Sequence, residues 1–73
     1  MDNKFAIRIN NLCAEKHLSK YRVAKNGKIN YSTMNHIMNY NHPNPKHYNI
    51  EKICQGLGIS VREFYNDKIF ESR

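Results

Sequence analysis

Ser19 to Asn39 reads SKYRVAKNGKINYSTMNHIMN, and the spacing of its apolar residues divides it into two short helices joined by a tight turn. Ser19 is a suitable cap for the first, because its hydroxyl can accept a hydrogen bond from a backbone N–H left unpaired in the first helical turn. Val23 supplies an apolar contact, and Ala24 a small residue where the second helix of the pair can approach closely. Gly27 and Lys28 interrupt the pattern, Ile29 points inward, and Asn30 is placed to cap the second helix. That helix carries Met34, Ile37 and Met38 at i, i+3 and i+4, one face of an α-helix. Its other face holds Tyr31, Ser32, Asn35 and His36, hydrogen-bonding side chains without an acid among them. A helix that is apolar behind and uncharged-polar in front, beside lysines, suits a polyanion.

Size and charge narrow the choice of partner. At 73 residues the chain holds one domain, read as residues 1–73. A domain this small buries only about 60% of its unfolded surface, so its apolar residues are needed for the core. Twelve Lys+Arg against six Asp+Glu give a net charge of +6 and a pI near 9.6, which favours nucleic acid or an anionic membrane surface. No run approaches the roughly eighteen apolar residues of a membrane span. The opening residues lack the apolar stretch and small-residue cleavage site of a signal peptide. The expectation is a cytoplasmic, reduced protein with no membrane partner.

Outward from the central pair, Phe5, Ile9, Leu12 and Cys13 repeat at i, i+4, i+7 and i+8, which predicts an amphipathic helix over about Asn3 to His17. Leu18 is a buried link before the Ser19 cap. The segment Asn39 to Asn49 contains both prolines and four asparagines, so it reads as a loop. Pro45 is placed to open a helix marked by Ile50, Ile53, Cys54 and Leu57 and ended by Gly58. Ser60 and Glu63 form a capping box for a last short helix holding Val61, Phe64 and Tyr65. The tail, residues 66–73, includes Ile69 and Phe70. It is either a docked extension or part of a dimer contact, for which the C-terminal apolar set Phe64, Tyr65, Ile69 and Phe70 is the candidate.

Chemistry other than binding finds little support. Cys13 and Cys54 lie in apolar helical contexts and read as buried free thiols. The four histidines stand at no zinc-ligand spacing with them, so no metal or cofactor is expected. The six acids are scattered and no glycine-rich phosphate loop occurs, so no enzyme is expected either. Cys13 and His17, at i and i+4, would be a candidate reactive pair were Cys13 not on the apolar stripe.

The chain resembles the lambda-repressor-like, Cro/Xre-type helix-turn-helix family of bacterial and phage transcriptional regulators, over about residues 3 to 65. Leu18-Ser19, Val23-Ala24-Lys25 and Ile29-Asn30-Tyr31-Ser32-Thr33-Met34 carry the resemblance through the helix-turn-helix at about residues 19–39. Pro45 and the run Ile50 to Ser60 carry it through the fourth helix and into the fifth. Two positions depart from the family pattern: Lys28 stands where glycine is usual, with Gly27 one place earlier, and Tyr40 replaces the glycine that often follows the recognition helix.

The resemblance implies a compact all-α, five-helix DNA-binding domain that reads double-stranded DNA sequence-specifically as a transcriptional regulator, a repressor in the first reading. In this motif the second helix enters the major groove while the first crosses the backbone. Tyr31, Ser32, Asn35 and His36 are then the candidate base readers, since each offers hydrogen-bonding chemistry and Tyr31 also an apolar ring edge for a thymine methyl. Ser19, Lys20, Lys28, Asn30, Thr33, Asn39, Asn41, His42 and Lys46 are candidate phosphate contacts, with His47 beside them. Ser32 and Thr33 are equally suited to capping the helix, and Tyr31 to packing on the surface. A homodimer on an inverted repeat is expected, with no small-molecule ligand. The alternative is a protein-binding adaptor or antitoxin-like module on the same fold.

Overall fold

A computed structural model describes residues 3–39 and 45–71. Five α-helices follow in order: α1 (Lys4–Lys16), α2 (Lys20–Gly27), α3 (Tyr31–Asn39), α4 (His47–Leu57) and α5 (Val61–Tyr65), then a 3-10 turn at Lys68–Phe70. Among the described residues there is no strand, and no helix is long and apolar enough to cross a membrane. The all-α, five-helix architecture is the one expected from the apolar spacing. One boundary differs. Pro45 does not open α4, which begins at His47 behind an extended Lys46 with φ −68° and ψ 147°.

Three of the connections are the same turn built from different residues. His17, Lys28 and Gly58 each take a left-handed conformation just past a helix, with φ of 57°, 60° and 78°. The apolar residue that follows, Leu18, Ile29 or Ile59, donates its N–H back to Cys13, Ala24 or Cys54, at 2.9, 2.9 and 3.0 Å. This pairing closes the last helical turn and satisfies carbonyls that would otherwise lack partners. The next residue starts a new helix. The hydroxyls of Ser19 and Ser60 accept from Arg22 and Glu63 N–H, both at 3.0 Å, and the Asn30 carbonyl accepts from Met34 N–H at 3.0 Å. Lys28 therefore occupies the left-handed position itself, and the turn is not displaced toward Gly27.

Gly27 has another task. It remains helical as the last residue of α2 and is buried. A Cβ on Gly27 would collide with the Lys52 carbonyl oxygen, and one on Gly56 with the Val23 carbonyl oxygen. Helices α2 and α4 thus cross backbone against backbone, each placing a glycine in the contact. Ala24, expected where the two helices of the motif approach each other, is buried at 2% exposure.

The core is drawn from every helix: Ile9, Leu12, Val23, Met34, Ile37, Ile50, Ile53, Leu57 and Phe64 are all buried. Hydrophobic burial at roughly 25 cal/mol per Å² makes this cluster the main source of stability. The C-terminal segment docks on it. Arg8 donates from Nε to the Phe64 carbonyl at 2.8 Å and from Nη2 to the Glu63 carbonyl at 2.9 Å. Its Nη1 pairs with the Asp67 carboxylate at 3.1 Å. Phe70 packs against Phe5, Phe64 and Tyr65 with ring centroids 5.5, 5.7 and 5.0 Å away. The tail through Glu71 is accordingly a docked extension. Phe64, fully buried, is removed from any dimer contact.

Candidate nucleic-acid interface

Helix α3 is fixed by its back and open at its front. Met34, Ile37 and Met38 are buried, while Tyr31, Ser32, Asn35, His36 and Asn39 are exposed and Thr33 half-buried. At its far end, Asn3 donates from Nδ2 to the Ile37 and Met38 carbonyls at 2.7 and 3.3 Å. At its near end, the Ser32 hydroxyl donates to Asn30 Oδ1 at 3.4 Å. The four candidate base readers therefore share one solvent face with no acidic side chain among them.

The candidate phosphate contacts are unevenly exposed. Lys28 and Lys46 are exposed, the first in the turn before α3 and the second ahead of α4. Lys20 is half-buried, its Nζ donating to Asn10 Oδ1 at 3.4 Å. Ser19 already uses its hydroxyl as the α2 cap, and His47 faces Glu51 at 3.4 Å. Asn41 and His42 lie outside the described residues, as does Tyr40.

Motif reading alone missed further cations and aromatics. Arg22 and Lys25 are exposed on α2, and Tyr21 and Tyr48 are large exposed rings at 58% and 53%. Tyr21 meets Tyr31 edge-to-face with centroids 5.5 Å apart. Lys52 Nζ sits 5.5 Å over the Tyr48 ring. A signal for the cations was present in the charge order. From Lys16 to Ile50 the chain carries Lys16, Lys20, Arg22, Lys25, Lys28 and Lys46 and not one acid. Five of the six acids fall in α1, α4, α5 and the docked tail, where Asp67 is already held by Arg8, and Asp2 precedes the described residues.

The thiols are removed from chemistry. Both cysteines are buried and unpaired. Burial raises the Cys13 pKa against a smaller opposing pull from Lys20. Burial, with Glu51 and Glu63 adding to it, pushes Cys54 up to about 11. A protonated thiol is a poor nucleophile, so neither is poised for attack at neutral pH. Among the described residues, no group of three or more His, Cys, Asp or Glu could hold a metal.

Compared with known families, residues 8–68 match the Cro/C1-type HTH DNA-binding domain. Among solved structures, the chain is similar to the crystal structure of prophage Lp1 protein 11, with a TM-score of 0.81 and 28% identity over 100% of this chain and 97% of that one. No curated protein matches the sequence.

Proposed function

The chain belongs to the Cro/C1-type helix-turn-helix family of DNA-binding domains, and from that premise we propose that it is a sequence-specific transcriptional repressor. The observation that carries the reading is the α3 surface: exposed Tyr31, Ser32, Asn35 and His36 on a helix anchored by Met34, Ile37 and Met38. In the proposed pose α3 lies in the major groove, where these four side chains meet base edges. Ser19, Lys20, Lys28, Asn30, Thr33, Asn39 and Lys46 meet phosphates, joined by Asn41 and His42. Repression follows from occupancy alone, since a domain seated on a promoter excludes polymerase without a further contact surface. Such a regulator works in the cytoplasm, and two buried free thiols accord with that reducing compartment.

One motif spans few base pairs, so the proposed unit is a homodimer on an inverted repeat, with half-site centres roughly 34 Å apart. Tyr65, 38% exposed, and the half-buried Ile69 are what remains of the C-terminal apolar set for such a contact. The test is a titration with heterogeneous duplex DNA at rising salt, followed by selection of bound sequences from a random pool. The expected result is affinity that falls steeply as salt rises, through lost counterion release, and a selected inverted repeat. A protein adaptor would instead show negligible DNA affinity even at low salt.

A further inference from the structure

Beside the turn of the helix-turn-helix is a shallow cleft lined by Tyr21, Ala24, Lys25, Ile29 and Tyr31. Its floor is apolar, Ala24 and Ile29 being 2% and 7% exposed. The rings of Tyr21 and Tyr31, in edge-to-face contact, line it, and the exposed Lys25 completes the lining. Two exposed tyrosines brought together from different helices are not needed by the core, which closes beneath them. An apolar recess with an exposed cation in its lining, all of it within the acid-free run from Lys16 to Ile50, matches a small apolar group carried by a polyanion. In duplex DNA the group of that kind exposed in the major groove is the 5-methyl of thymine.

Building on the DNA-binding reading, we propose that this cleft seats a thymine methyl and that Tyr21 is a specificity-determining residue, acting both as a wall of the cleft and by holding the Tyr31 ring. The amine of Lys25 then faces the sugar–phosphate strand that carries the same thymine. Tyr21 is on α2, so the base preference of this protein is set from both helices of the motif.

The test replaces each thymine of the selected site by uracil, which removes the methyl and nothing else, and measures the affinity of the wild type, Tyr21→Ala and Tyr21→Phe. At one thymine per half-site, loss of the methyl weakens wild-type binding about fourfold, the value of one buried methyl-sized group. Tyr21→Ala abolishes that penalty, and Tyr21→Phe, which keeps the ring, retains it. The salt slope of all three proteins is the same, because no charge has changed. Uracil penalties unaltered in Tyr21→Ala, or absent at every position, overturn the inference while leaving duplex binding intact. A Tyr21→Ala protein that weakens on all sequences equally, with no methyl dependence, also overturns it and assigns the ring to the sugar–phosphate backbone. Absence of duplex binding by the wild type would overturn the DNA reading itself.

Discussion

Asn3 ties the first helix to the end of the third through the Ile37 carbonyl, to which its Nδ2 donates at 2.7 Å. The same side chain accepts from Ala6 N–H at 3.0 Å and so caps α1. Asn3→Ala should cost about 1–2 kcal/mol, the usual range for a lost cap with a lost hydrogen bond. Asn3→Asp keeps the acceptor but cannot donate to Ile37, and should fall between the two in urea denaturation. Equal stability of Asn3→Asp and wild type would show that the tie to α3 contributes nothing.

The crossing of α2 and α4 yields a prediction whose sign opposes helix propensity. On propensity alone Gly56→Ala should gain about 1 kcal/mol. The new Cβ meets the Val23 carbonyl oxygen, a backbone atom that cannot swing aside. Overpacking should win, with a net loss of about 1–3 kcal/mol in thermal or urea denaturation. A raised Tm would mean that the helices stand farther apart than described.

These two features mark the limit of what the sequence discloses. Helices α1, α3 and α4 were legible because their apolar residues recur at helical spacing, and Ser19, Gly58 and Ser60 because each residue type fits its position in a turn. Gly27 misled, since a glycine near a helix end satisfies a turn and a close packing contact equally well, and only the position of α4 decides between them. His17 and Lys28 hid two turns equivalent to the one at Gly58, because neither residue advertises a positive φ. The Tyr21–Tyr31 contact joins two helices whose relative rotation no local pattern encodes. On α3, the division into an apolar back and a polar front was visible in the spacing of Met34, Ile37 and Met38 alone.

Lys28 holds a φ of 60°, a conformation that disfavours a side chain by about 1–2 kcal/mol, partly offset here because glycine loses more chain entropy on folding. Lys28→Gly should therefore gain up to about 1 kcal/mol in stability. Its affinity for DNA should fall on specific and random duplexes alike, with the salt slope shallower by about one unit. Stability and binding then move in opposite directions in a single variant. Loss of both would indicate that the lysine side chain supports the fold.

Base reading and phosphate contact are separable by pairing two variants. Lys20→Ala should weaken operator and random DNA by similar factors and reduce the salt slope by about one unit. His36→Ala should cost about 1–3 kcal/mol on the selected site, change random DNA little, and relax choice at one base pair per half-site. Binding measured on a panel of single-base operator variants distinguishes the patterns. If Lys20→Ala altered base preference while His36→Ala weakened all sequences equally, the two roles would be exchanged and α3 would be rotated from the proposed pose.

The net charge of +6 resides wholly in the acid-free run from Lys16 to Ile50, since the flanking segments balance six cations against six acids, and charge placed so unevenly can give a molecule a dipole as well as a net charge. A uniformly basic sphere is drawn toward DNA but arrives in any orientation, and most such encounters must tumble or dissociate before they become productive. A dipole experiences a torque in the field of a polyanion before it touches, over distances set by the Debye length, about 8 Å at physiological ionic strength. In the proposed pose, such a torque would turn the α2–α3 side inward, so that a larger share of collisions begins in register. Charge order along the chain should then act on the rate of association as well as on its strength, which the salt dependence of the association rate would check.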